Sequence, residues 1–213
     1  MSPRPIRVLI AEDHQVVREG VLALLRAEDD IEVIGEAADG AEAVRLAEAR
    51  GPDVVVMDVG LPVLNGVDAT ARLRQSRPDI GVVILSMHDD APTADRALRA
   101  GARGYVLKGS GIASLCEAIR TVARGEVHLG PGISDYVLQG YLSAESPEKD
   151  PLSSREREVL QLIAEGRTGR EVAKRLGLSP KTVDNHRARI KEKLGIHTTA
   201  GLVRYAMRAG LVT

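Results

Sequence analysis

The stretch Val54–Pro62, VVVMDVGLP, decides the reading of this chain. Three valines and a methionine in a row suit a strand buried on both faces, and Gly60 and Pro62 then break regular structure. Between the apolar run and the breakers stands one carboxylate, Asp58. A lone Asp after a strand is commonly a turn residue or a helix cap. In an open parallel sheet, however, the carboxyl ends of the strands are also where ligand sites lie.

Runs of this kind alternate with helical patterns five times. Strands are expected near Ile6–Ala11, Glu32–Ala37, Val54–Met57, Val82–Ser86 and Gly104–Leu107. Helices are expected near Gln15–Arg26, Ala41–Ala49, Val67–Gln75, Thr93–Ala100 and Ile112–Ala123, several of them followed by a glycine suited to a left-handed helix end. Apolar strands separated by helices predict an α/β fold, a doubly wound, five-stranded parallel sheet covered on both faces. The chain holds no GxGxxG and no GxxxxGK[ST], so neither a dinucleotide nor a nucleoside triphosphate site is supported.

In such a sheet all strand C-termini share one edge. Glu12 and Asp13 follow the first strand, Asp58 the third, Ser86 ends the fourth and Lys108 follows the fifth. Singly, each has an ordinary reading: Asp13 a helix cap, Ser86 a strand-end hydroxyl, Lys108 a surface lysine. Jointly they form a chemical set. Three carboxylates at one edge repel unless a dication neutralises them, and hard oxygen donors suit Mg²⁺. With Mg²⁺ on Asp13 and Asp58, a hydroxyl and an ammonium would complete the neutralisation of a transferred phosphoryl group. Asp58 would be the nucleophile, forming an aspartyl phosphate.

The length of 213 residues suits one large or two small domains. With no Trp and no Phe, the cores must be aliphatic. The single Cys116 excludes an intramolecular disulfide framework and fits a reducing compartment. No apolar run is long enough to span a bilayer and the N-terminal run is too short for a signal peptide, so a cytoplasmic protein without membrane partners is expected. Charge divides the chain. Residues 1–150 carry 16 Lys+Arg against 24 Asp+Glu, or −8, whereas residues 151–213 carry 13 against 6, or +7. The basic part is a candidate for nucleic acid. Ser143–Pro151, SAESPEKDP, reads as a linker. The expected division is 1–125, a linker at 126–150 with a helix near 131–142, and 151–213.

The blocks LIAEDH, VVVMDVGLPVLNG, VVILS and GYVLK resemble the blocks of response-regulator receiver domains, in the same order, over about the first 125 residues. The resemblance implies a flavodoxin-like fold with Asp58 as phosphoacceptor. It implies Mg²⁺ bound by Asp13, Asp58 and the backbone carbonyl of Gly60, with Glu12 acting through water. Ser86 and Lys108 match the residues that contact the phosphoryl group. Ser86 and Tyr105 match the switch pair, in which the aromatic turns inward as the hydroxyl moves. Gly60 and His88 match positions that border the water that attacks the aspartyl phosphate. Family members often carry Pro directly after the lysine, whereas Gly109 follows it here.

The C-terminal part reads as an all-α domain. Ser153 with Glu156 and Thr168 with Glu171 are capping-box patterns, and Ser179 precedes Pro180 as an N-cap precedes a first-turn proline. Helices are expected near Ser154–Glu165, Gly169–Leu176 and Pro180–Leu194, with a fourth after Thr199. The short turn GLS between the second and third makes a helix-turn-helix. Val183, Ile190 and Leu194 share the core face of the third helix. Opposite lie Lys181, Asp184, Asn185, Ala188 and Glu192, flanked by Arg187, Arg189, Lys191 and Lys193. Asn reads adenine, Asp accepts from cytosine and Ala admits a thymine methyl, while flanking cations grip phosphates. A solvated basic face is the alternative.

The segments LSSREREVLQLIAEG and EVAKRLGLSPKTVDNHRARIKEKLG are similar to the LuxR-type helix-turn-helix, and the pair of domains resembles the NarL/FixJ class of response regulators. By that resemblance Asp184, Asn185 and Ala188 are base-reading positions, Lys181, Arg187 and Lys191 contact phosphates, and Thr182 joins the DNA-binding face. The fourth helix makes the dimer contact, although its apolar residues equally suit an internal core. The class carries Asn where Gly169 stands and Arg where Thr198-Thr199 stands.

The function this implies is a DNA-binding transcriptional regulator, switched when a sensor histidine kinase phosphorylates Asp58 with Mg²⁺, and dimeric on phosphorylation or on double-stranded DNA. It is no enzyme towards external substrates, only self-phosphorylating from a phosphodonor and self-dephosphorylating. Two alternatives stay open: a DNA-binding regulator controlled by dimerisation or a partner without phosphorylation, and a phosphohydrolase using Asp58. The intact Asp13, Asp58, Ser86 and Lys108 set speaks against the first. Against the second, Val59 and Gly60 offer no acid for a leaving group.

Overall fold

The computed structural model describes residues 4–87, 91–130, 133–134 and 151–212. His88, the greater part of the helix expected at 131–142 and the linker at 143–150 lie outside them. The chain divides into two compact units, one built on a sheet and one of helices alone.

The N-terminal unit is a parallel sheet of β1 (Ile6–Ala11), β2 (Ile31–Ala37), β3 (Val54–Asp58), β4 (Gly81–Ser86), β5 (Gly104–Leu107) and β6 (His128–Leu129), in the order β2-β1-β3-β4-β5-β6. The five expected strands are present. The sixth, two residues long and parallel to β5, was too short to leave a pattern in the sequence. Between the strands run α1 (Gln15–Leu25), α2 (Gly40–Arg50), α3 (Gly66–Ser76), α4 (Ala91–Arg99) and α5 (Ile112–Ala123).

Strand alternation divides the core. Val8, Ile10, Val54, Val56, Val83, Leu85 and Val106 pack with Leu22 and Leu25 of α1 and with Leu115, Cys116 and Ile119 of α5. The intervening Leu9, Val55, Met57, Ile84 and Tyr105 are equally buried and face the other side, where α2, α3 and α4 pack in series. Both faces are covered, which is why these strands are apolar throughout. Cys116 is a core thiol, and burial pushes its pKa up. Register fixes the functional edge: Ala11 pairs with Met57, Asp58 with Leu85 and Ser86 with Leu107. Glu12 and Asp58 therefore lie at one level, with Ser86 one residue and Lys108 two residues further along the same edge.

The C-terminal unit comprises α6 (Ser154–Ala164), α7 (Gly169–Leu176), α8 (Pro180–Leu194) and α9 (Thr199–Arg208). Its core joins Val159, Leu160 and Leu162 of α6, Val172 of α7, Val183 and Ile190 of α8, and Leu202 and Ala206 of α9. Both capping boxes form, and Ser179 caps α8 through the Thr182 N–H. Gly177, at φ 63°, supplies the left-handed residue that ends α7 and sets the turn into α8. Thr198 caps α9 by accepting from the Gly201 N–H.

Glu156 does more than cap. One carboxylate oxygen accepts from the Ser153 N–H at 2.8 Å, the Ser153 hydroxyl at 3.0 Å and Lys193 Nζ at 2.6 Å. This clamps α6 to the last turn of α8 and commits Lys193 to Glu156, correcting the expectation that Lys193 flanks a DNA face. Burial alone would raise the Glu156 pKa, but Lys193 and the Ser153 donors outweigh it and bring it from 4.5 down to about 2. A depressed carboxylate pKa contributes stability that is full above 4.5 and is lost as pH falls through 4.5 toward 2. Urea unfolding of the C-terminal unit should therefore give a flat midpoint above pH 4.5 and a falling one below it. Glu156→Gln should remove most of that slope and cost about 1–2 kcal/mol at neutral pH, a figure reduced for the solvent access of Lys193.

Candidate functional site

The carboxyl edge of the sheet gathers a buried charge cluster. Glu12 and Asp58 are 2% and 6% exposed, and Ser86 is fully buried at the end of β4. Lys108 begins the single 3-10 turn after β5, Lys108–Ser110, and is no ordinary surface lysine. Its side chain is 12% exposed, with Nζ 2.8 Å from Glu12 Oε2 and 3.0 Å from Asp58 Oδ1. Gly109 stands in open space beyond it.

Electrostatics follow from this packing. Desolvation raises the Asp58 pKa, the charges of Glu12 and Asp13 add to the effect, and Lys108 opposes it. Burial works against a charge on Lys108, but the Glu12 and Asp58 carboxylates outweigh it and hold the ammonium above its usual range. The cluster holds more negative charge than one lysine neutralises.

Asp13 is not the cap of α1: the N-cap is His14, which makes no side-chain cap bond. In the structure its Nδ1 lies 2.9 Å from Asp13 Oδ1 and 3.3 Å from Glu12 Oε1. Glu12, Asp13 and His14 offer donor atoms all within 4.8 Å of one another. Glu12 Oε2 and Asp13 Oδ1 are buried and accept no hydrogen bond of good geometry, despite the nearby Lys108 and His14 nitrogens. Buried carboxylate oxygens with lone pairs to spare, in a cluster of excess negative charge, fit a hard dication such as Mg²⁺.

The loop after Asp58 is drawn tightly against it. Gly60 lies in the turn directly after β3. The Gly66 N–H donates to the Val59 carbonyl at 2.9 Å. A Cβ on Gly66 would stand 1.9 Å from the Asp58 carbonyl oxygen, so the start of α3 passes too close for any side chain. The Asn65 side chain caps α3 through the Asp68 N–H. Tyr105 is fully buried, on the α4 side of the sheet.

In the C-terminal unit, α8 turns Val183 and Ile190 into the core, with Leu194 packed beside them. Lys181, Asp184, Asn185 and Ala188 are exposed on its outer side, with Arg187 and Lys191 half-buried beside them. Thr182 is tied to the helix start, its hydroxyl 2.8 Å from Ser179 Oγ. The row of Asp184, Asn185 and Ala188 is therefore free to face a partner, while Thr182 also serves the cap. Leu202 and Ala206 of α9 belong to the core, and Met207 is exposed on its outer face.

A parallel sheet with buried acids and a lysine at its carboxyl edge, followed by a capped helix-turn-helix, matches two protein families along one chain. The response regulator receiver domain matches residues 8–120, and the luxR family of bacterial regulatory proteins matches residues 150–206. The chain belongs to the NarL/FixJ class of response regulators. It is 40% identical to the transcriptional regulatory protein MctR of Rhizobium johnstonii, covering 100% of this chain and 99% of that one. It is 37% identical to the oxygen regulatory protein NreC of Staphylococcus carnosus, over 97% of this chain and 99% of that one. Among solved structures, a Salmonella typhimurium RcsB response regulator aligns with a TM-score of 0.66 and 25% identity, over 97% of this chain and 99% of that one. Among the described residues, no helix of this response regulator is long and apolar enough to cross a membrane.

Gly66→Ala should force α3 away from β3, cost about 1–3 kcal/mol as an overpacking substitution, and move the Asp58 backbone. Urea unfolding would report the cost, and phosphoryl uptake from acetyl phosphate should fall with it.

Proposed function

We propose that this response regulator is a phosphorylation-controlled transcription factor switched at Asp58. The observation that carries the reading is the buried Asp58 carboxylate, 3.0 Å from Lys108 Nζ, which also pairs with Glu12, on the sheet edge where Ser86 ends β4. Asp58 attacks the phosphorus of a donor, a sensor histidine kinase or a small phosphodonor, and forms an aspartyl phosphate as the bond to the leaving group breaks. Asp13, Asp58 and the Gly60 carbonyl would hold Mg²⁺, with Glu12 assisting through water, and the ion would supply charge neutralisation for the transferred phosphoryl group. Lys108 moves its ion pair from the Asp58 carboxylate to a phosphoryl oxygen, and the Ser86 hydroxyl donates to another.

The Ser86 shift biases a pre-existing equilibrium of the Ser86–Tyr105 face. The phosphorylated form dimerises and presents two α8 helices to two half-sites of double-stranded DNA. There Asp184, Asn185 and Ala188 read bases, and Lys181, Thr182, Arg187 and Lys191 hold the backbone. The protein works in the cytoplasm.

Intact mass after exposure to acetyl phosphate and Mg²⁺ should rise by about 80 Da, one phosphoryl group, in the wild type and not in Asp58→Asn. No gain in either protein, with DNA binding intact, would favour control by dimerisation or a partner. Asn185→Ala should cost about 1–3 kcal/mol of DNA affinity and relax sequence preference, whereas Arg187→Ala should weaken all sequences alike and reduce the salt slope by about 1. Binding titrations at several salt concentrations separate the two.

A further inference from the structure

Arg18 occupies a position that local rules disfavour. It is the fourth residue of α1, close to the positive end of the helix, in a first turn without acidic residues and behind an N-cap that makes no side-chain bond. A cation there gains nothing from its own helix end. Its side chain is nevertheless only 18% exposed and turns back toward the sheet edge. Nη1 donates to the Glu12 carbonyl at 2.7 Å and lies 3.5 Å from the Asp13 carbonyl. Nε stands 3.7 Å from Glu36 Oε2, at the end of β2.

Glu12 is thus held at both sides of its residue. Its N–H donates to the Ala37 carbonyl at 3.1 Å, and its carbonyl accepts from Arg18. The side chains carried by that short backbone stretch are the carboxylates of Glu12 and Asp13. Freeing the Glu12 carbonyl would remove the anchor of the peptide between them, leaving the Glu12 carboxylate held by the His14 N–H at 3.2 Å and by Lys108 at 2.8 Å. Glu36 steadies the guanidinium from the sheet side, so the tether runs from β2 through Arg18 to the acidic loop.

We infer that Arg18 is a positioning residue that fastens the Glu12–Asp13 backbone and thereby sets the affinity of the acidic site for its dication. The inference rests on the reading that Asp13 and Asp58 hold Mg²⁺, with Glu12 acting through water. Charge and tether make opposite demands. A guanidinium near a cation site repels the cation, so removing the charge alone would tighten Mg²⁺ binding. Removing the tether loosens the ligands and weakens it, as loss of supporting groups around metal ligands generally does.

The test is calorimetric titration of Mg²⁺ into the full-length wild type, Arg18→Ala, Arg18→Lys and Asp13→Asn, with a thermal melt of each without Mg²⁺. Arg18→Ala should bind Mg²⁺ about tenfold more weakly. Arg18→Lys keeps the charge but lacks the planar fork, and should recover only part of the loss. Phosphorylation by acetyl phosphate should return to the wild-type rate in Arg18→Ala at saturating Mg²⁺, because the defect is in ligand placement. Unchanged or tighter Mg²⁺ binding by Arg18→Ala, with or without a lower melting temperature, overturns the inference. If Arg18→Ala does not fold, wild-type Mg²⁺ affinity in Arg18→Lys overturns it equally. Wild-type affinity in Asp13→Asn would show that the Mg²⁺ reading itself is wrong, and the inference would fall with it.

Discussion

Lys108 lies between two carboxylates whose burial would otherwise be strongly unfavourable. A carboxylate removed from water without a partner costs several kcal/mol, and here Glu12 and Asp58 are buried side by side. The ammonium, within 3.0 Å of both, offsets part of their repulsion. Its place depends on the parallel sheet, which brings the ends of β1, β3 and β5 to one edge although they come from distant parts of the chain. Strand pairing fixes the spacing of that edge, which keeps Glu12 and Asp58 side by side. Excess negative charge remains, and with it the capacity to take up a dication and a phosphoryl group.

The same physical device appears in the C-terminal unit with a different consequence. Glu156 is as buried as Asp58, yet its single oxygen collects two Ser153 donors and Lys193, and its pKa falls. Asp58 has one cation shared with a neighbouring acid, and its pKa rises. A satisfied buried carboxylate is a structural clamp. An under-satisfied one is a site with chemistry left to perform.

The backbone around both sites is set by small local choices. At Gly66 the absence of a side chain admits α3 against the Asp58 carbonyl, and at Gly177 a left-handed residue ends α7 and sets the angle into α8. Asn65, Ser153, Thr168, Ser179 and Thr198 each satisfy a helix-start N–H. These residues touch neither phosphoryl group nor base in the proposed function, but they fix where the groups that do are held.

Element type and order were legible in the sequence, because period and capping chemistry are local properties. VVVMD could be little else than a buried strand, and S-x-x-E, T-x-x-E and S-P mark helix starts through bonds made within four residues. The order of Glu12, Asp58, Ser86 and Lys108 along alternating units already implied one edge. Other features were decided by tertiary structure alone, since they depend on contacts between residues far apart in the chain. β6 exists only because β5 offers it an edge to pair with. Lys193 reads as one more cation on a basic helix, and only the packing of α6 against α8 assigns it to Glu156. Tyr105 is buried because α4 covers its side of the sheet. Only the turn of β1 into α1 brings the carbonyls of Glu12 and Asp13 within reach of Arg18.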